Sequence, residues 1–267
     1  ERELFEFTYP DAKLTPIYTN ESEAINKLLK GKVWMAITSR DFKKEELESL
    51  KARKQFPRSV RFAYDGLALI QNISNTDSCI SVDNIKDILN GKITHWNQIY
   101  PKSKIGEITI VFDNPNSSAV HFVEDSILGG KPILNKNVAA VKKTAEVIKY
   151  VEENKGAIGI IGSNWLNDKR DTTNLTFKKE IRPMAVSSVP IANVQNSWKP
   201  YQYYIFNGSY PLARTLYILL NDTHMGLPTG FSNFIISQDK GQKIILKTGL
   251  LPAYGNLTVR NVRVSNE

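Results

Sequence analysis

The chain has 267 residues, 41% hydrophobic and 23% charged, enough for one large domain or two modest lobes with cores of their own. Its 35 basic and 27 acidic residues leave a net charge of +8, but the lysines are scattered among acids, which is a solvated surface and no nucleic-acid footprint. A single cysteine, Cys79, excludes an internal disulfide, and His95, His121 and His224 lack metal-ligand spacing, so neither a metal nor any other cofactor is expected.

Asn20 followed by Glu23 is a capping-box pattern; with Ile25, Leu28 and Leu29 on one face and Gly31 as a stop, it predicts a helix over 20–30. KVWMAIT (32–38) reads as a short buried strand. The polar break Ser39-Arg40-Asp41 leads into a charged helix through KKEELESLKARK. VRFAYDGLALIQ (60–71) is β-rich and interrupted at Asp65-Gly66, a turn or close-approach signal.

Ser81 is placed to cap a helix bearing Val82, Ile85, Ile88 and Leu89, which Gly91 stops; a loop with His95 and Trp96 follows. GEITIVF (106–112) reads as a strand, and from Ser118 onward Val120, Val123 and Ile127 recur at helical spacing. A helix over 141–153 leads through Lys155-Gly156 into AIGIIG, a buried strand. Residues 171–209, rich in Thr, Asn, Ser and Pro, show no clear period, and the triplet Asn174-Leu175-Thr176 is given no weight. YPLARTLYILL (210–220) returns to strand character; Phe231, Phe234 and Ile235 mark a last helix, and GQKIILKTG runs on to Gly249. This alternation predicts α/β architecture with mainly parallel sheets, in which ligands collect where strands end and helices begin. No apolar run reaches bilayer-spanning length. No basic-then-apolar leader opens the sequence at Glu1, so any export signal is expected to have been removed or never present.

Two strand-to-helix junctions are chemically suggestive. In VFDNPNSSAVHF (111–122), Asn116, Ser117 or Ser118 can cap the helix while neighbouring hydroxyls face a cleft, an arrangement suited to a bound anion. Ordinary turn and capping chemistry uses the same residues. At Thr38-Ser39-Arg40, Arg40 offers forked hydrogen bonds to an oxyanion, or a surface salt bridge to Asp41 or Glu45. Catalysis is not expected. His121 lies three residues after Ser118 on one predicted helix, without a third orienting group, and no nucleophile-elbow or phosphate-loop motif occurs.

The order of motifs resembles the phosphate-binding proteins of bacterial phosphate ABC transporters, within the wider group of periplasmic-binding-protein-like (type II) domains. MAITSRDFKKEEL, FAYDGLALIQN, ISVDNIKDILNGKITHWNQI, KGAIGII, YPLARTLYILL and GQKIILKTGLLPAY carry the resemblance through nearly the whole chain. It implies a two-lobed α/β fold with a ligand cleft between the lobes: residues 1–75 and 206–267 in lobe I, 76–205 in lobe II, and the first strand of lobe I apparently missing. It also implies reversible capture of inorganic phosphate for a membrane permease and its ATPase, at the periplasm or cell surface, by a monomer with a possible lipid anchor. Ser39, Arg40, Asn116, Ser117 and Ser118 are the implied anion ligands. Glu21, Asp65 and Asp113 are candidates for the carboxylate that accepts the proton of monohydrogen phosphate and repels sulfate. Two departures stand out: Phe112 occupies the family's arginine position, and Asn20-Glu21-Ser22 replaces a Ser-Gly-type loop. They keep open another oxyanion, a small organic anion, or a sensory or interaction module without a ligand.

Overall fold

The computed structural model describes residues 1–167 and 177–255; the Asn174-Leu175-Thr176 triplet lies outside them. Helix α1 (Arg2–Thr8) opens the chain. Helix α2 (Glu21–Leu29) starts where Asn20 Oδ1 accepts the Glu23 amide at 2.9 Å, while the Glu23 carboxylate turns to Thr19 and Lys27 instead of closing the box. Strand β1 (Met35–Thr38) and helix α3 (Lys44–Ala52) follow. Strand β1 is an edge strand, not a buried one: Ala36 and Thr38 face the core, but Ile37 is 53% exposed.

Strand β2 (Arg58–Asn72) runs unbroken for 15 residues, so Asp65-Gly66 does not interrupt it. The glycine marks a close approach instead, because a Cβ there would lie 3.0 Å from Pro200 and 3.1 Å from Ile205. Next come β3 (Cys79–Ser81), α4 (Val82–Leu89) and β4 (Thr109–Phe112). Ser81 Oγ caps α4 by accepting the Asn84 amide at 3.0 Å. The buried Trp96 closes the loop behind α4, its indole donating to the Gly156 carbonyl at 3.1 Å. Helix α5 (Ser118–Phe122) continues as a π-helical turn over Val123–Ile127. The remaining elements are β5 (Val138–Ala140), α6 (Thr144–Glu153), β6 (Ala157–Gly162), β7 (Ile181–Pro183), β8 (Ala185–Ser187), α7 (Gln202–Phe206), β9 (Ala213–Leu220), α8 (Leu227–Ile236), α9 (Gly241–Lys247) and β10 (Leu251–Pro252).

The main sheet has the order β1-β9-β2-β6-β4-β5, with β10 and β7 also on β2, and a separate β3–β8 pair. Among the described residues, only β4–β5, β4–β6 and β3–β8 are parallel strand pairs and the five other strand pairs are antiparallel, which corrects the expectation of mainly parallel sheets. The physical reason is that β2 and β9 are long central strands running in opposite directions. Helix–strand alternation cannot reveal that. Strand β2 also changes partners along its length. Residues Arg58–Gly66 pair with β9 and β10, whereas Leu67–Asn72 pair with β6 and β7. Separate apolar cores flank the change, one around Ile25, Leu28, Leu50 and Leu219, another around Leu67, Ile110, Phe112 and Ile160.

Among the described residues, nothing pairs with the outer edge of β1. The segment Lys13–Thr19 passes beside it without secondary structure, and a cavity of about 880 Å³ lies between, lined by Leu14, Ile17, Trp34, Ala36, Ile37 and Phe231.

Candidate functional site

The loop Asp113–Ser118 is built by its own short side chains. Asn114 Oδ1 accepts the Asn116 amide at 2.8 Å, the Asn114 carbonyl accepts Ser117 N–H at 3.2 Å, and Ser117 Oγ caps α5 by accepting the Val120 amide at 3.4 Å. Ser117 is thus the cap. The hydroxyl of Ser118 is left for another purpose: its oxygen accepts Arg214 Nη1 at 3.1 Å, and its own hydrogen remains to give.

One turn along α5, His121 reaches the α2 side of the molecule. Its Nδ1 stands 2.8 Å from Glu21 Oε2, and its Nε2 stands 3.1 Å from Ser22 Oγ. Glu21 Oε1 accepts both the amide (2.5 Å) and the hydroxyl (2.9 Å) of Ser39. Burial alone would push the Glu21 carboxyl up, but the bonds from His121 and Ser39 outweigh it and hold the group below the usual glutamate range. The two predicted junctions are therefore joined, and Glu21 joins them.

Arg40 is engaged elsewhere. Its Nη1 and Nη2 donate to the two Glu46 oxygens at 2.9 and 2.6 Å, so its bidentate ion pair is with a helix-α3 residue and not with the Asp41 or Glu45 carboxylate; at Asp41, Nη1 meets the backbone carbonyl, at 2.8 Å. That bond raises the Arg40 pKa, and although burial disfavours the charged carboxylate, Arg40 keeps Glu46 below its ordinary value. Asp65 is buried and saturated. Oδ1 accepts Ser163 N–H (3.1 Å) and Oγ–H (2.8 Å), and Oδ2 accepts Arg214 Nε (3.0 Å) and Nη2 (2.7 Å). Asp113 differs: Oδ2 accepts Thr144 Oγ1 at 3.3 Å, while Oδ1 is buried with no donor.

Sequence reasoning missed Arg214 and Ser163. A signal existed, since Asp65 and Arg214 are lone charges inside otherwise apolar strand stretches, and such residues pair when buried. Among the described residues, no group of His, Cys, Asp or Glu is placed to hold a metal, and no helix is long and apolar enough to cross a membrane.

Comparison with known proteins places this geometry in a lineage. A family model described as a PBP superfamily domain matches residues 1–239. The chain belongs to the PBP superfamily. Among PBP superfamily relatives, the phosphate-binding protein PstS of Borreliella burgdorferi is 28% identical over 251 residues, spanning 90% of this chain and 80% of the relative. The protein of the same name from Staphylococcus aureus (strain USA300) is 24% identical over 241 residues, spanning 88% of this chain and 68% of the relative. A crystal structure from Clostridium perfringens with bound phosphate has a TM-score of 0.72 at 22% identity, covering 95% of this chain and 93% of that one. The fold is the two-lobed α/β PBP fold. Strand β2 is the one whose first part pairs with β9 and whose second part pairs with β6.

Proposed function

We propose that this protein is an extracytoplasmic solute-binding protein that captures inorganic phosphate and passes it to an ABC transporter. The observation that carries this is the alignment of phosphate-binding relatives over about nine-tenths of the chain. Two donor-bearing segments that Glu21 ties together support it. Capture is reversible binding with no bond broken. Asn116, Ser118 and the loop amides supply donors from one wall. On the other, Ser39 spends its amide and hydroxyl on Glu21 and so fixes that wall in place. Ser117 holds the loop, and Arg40 braces the Ser39 turn through Glu46. Micromolar affinity needs about 8 kcal/mol, which a handful of charge-assisted hydrogen bonds at about 1.5–3 kcal/mol each provides after ordering losses.

Of the three candidate carboxylates, Glu21 and Asp65 already accept bonds at both oxygens, whereas Asp113 keeps one buried oxygen without a donor. We assign it the proton of monohydrogen phosphate. Residues 1–75 with 206–267 form lobe I and 76–205 lobe II, joined where β2 pairs with β6, and a strand seated against the bare edge of β1 would complete lobe I. The protein works outside the cytoplasm as a monomer, and its partners are a membrane permease and the ATPase that drives it.

Calorimetric titration with phosphate, sulfate, molybdate and small carboxylates tests the assignment, with thermal shift as a second readout. Tight phosphate binding is expected; no heat and no shift with phosphate would overturn it. A second ligand class is favoured by one observation: Phe112 is a core residue, 1% exposed, so its loop carries no cation. Preference for molybdate or a carboxylate over phosphate would select that alternative.

A further inference from the structure

We propose that Arg214 is the cation that meets the bound anion and that Asp65 is its positioning residue, an assignment that rests on the phosphate capture proposed above. No Lys or Arg lies in the loop 113–118, and Arg40 spends its end-on fork on Glu46. Arg214 is the charge that reaches this wall. Its side chain is 9% exposed, its Nη1 touches Ser118 Oγ, and Nε and Nη2 are clamped on one Asp65 oxygen.

The donor count leaves room for a ligand. A guanidinium has five N–H groups. Two go to Asp65 and one to Ser118, so one hydrogen on each Nη remains for an oxyanion beside the Ser118 hydroxyl. Asp65 in turn is locked by the backbone and hydroxyl of Ser163, so the clamp is rigid before any ligand arrives. Position adds a consequence. Asp65 and Arg214 are register partners across β2 and β9, two residues before β2 changes sheet partners at Leu67. The charge that grips the anion therefore sits at the joint between the two halves of the fold.

The test is phosphate titration of the full chain by calorimetry, with unliganded melting temperature as the fold control, for Arg214→Gln, Arg214→Lys and the double variant Asp65→Asn/Arg214→Gln. Arg214→Gln removes the cation but strands a buried carboxylate, so lost stability alone would explain a loss of binding. The double variant separates the two roles by replacing the ion pair with a neutral amide pair. Its melting temperature is expected to recover toward wild type while phosphate affinity stays down by about 100-fold, the scale of a charge-assisted bond. Arg214→Lys, which keeps the charge and loses the fork, is expected to lose about tenfold. A folded double variant, or Arg214→Lys, binding within about threefold of wild type would overturn the assignment of Arg214 alone. Wild-type protein that ignores phosphate would overturn phosphate capture itself, and this assignment with it.

Discussion

Glu21 Oε2 and His121 Nδ1 lie 2.8 Å apart across one hundred positions of sequence, and the other Glu21 oxygen holds the amide and hydroxyl of Ser39. A buried carboxylate with three donors is an acid-sensitive fastener. Its carboxyl sits below the ordinary glutamate value of 4.5, so its stabilisation is complete above that pH and disappears as pH falls through the folded-state value. Glu46 titrates with the same sign. Glu21→Gln is expected to lower stability at neutral pH by about 1–3 kcal/mol and to make the acid limb shallower without abolishing it. Melting curves from pH 7 down to about pH 2 check this, because the loss begins only below 4.5. A variant limb parallel to wild type would show that Glu21 contributes nothing to the titration.

Two adjacent serines divide their labour. Ser117 caps α5, so Ser117→Ala is expected to cost about 1 kcal/mol of stability. Ser118 makes no such bond and faces Arg214, so Ser118→Ala is expected to leave the melting temperature nearly unchanged and weaken phosphate binding about tenfold. Paired unfolding and titration experiments read both numbers. The opposite pattern would reverse the roles.

Asp113 carries the prediction about selectivity. With its unpartnered oxygen, wild type is expected to prefer phosphate to sulfate by well over tenfold, since a carboxylate facing an aprotic dianion is left repelled and unbonded. Asp113→Asn should shrink that preference to about threefold or less, by weakening phosphate and admitting sulfate. Competition calorimetry with the two anions decides, and an unchanged ratio removes Asp113 from the site.

Packing offers a check independent of any ligand. A Cβ on Gly159 of β6 would sit 2.8 Å from Ile70, Val147 and Val151, wedging α6 off the sheet. Gly159→Ala is expected to cost about 1–3 kcal/mol, seen as a lower denaturation midpoint.

What could be read from the chain was local. The caps at Asn20 and Ser81, the helix that follows each, the strand AIGIIG and the loop ahead of α5 all depend on side chains within a few positions of one another. Partners at longer range stayed hidden. Arg40 chose Glu46, six residues on, because that side chain can meet both ends of its fork. The Asp65–Arg214 pair spans 149 positions, and strand direction in the sheet is set by how β2 and β9 thread between two cores. Periodicity contains neither quantity. Phe112, by contrast, departs from the family pattern in plain view of the sequence, and it is an ordinary core side chain.

The outer rim of β1 remains chemically hungry. A row of amide and carbonyl groups that find no mates among the described residues, next to greasy Trp34 and Ile37, is a template onto which a passing extended polypeptide can zip, another copy of itself included. Purified at high concentration, this 267-residue polypeptide should be sticky along that rim first, and Ile37→Lys should make it less so.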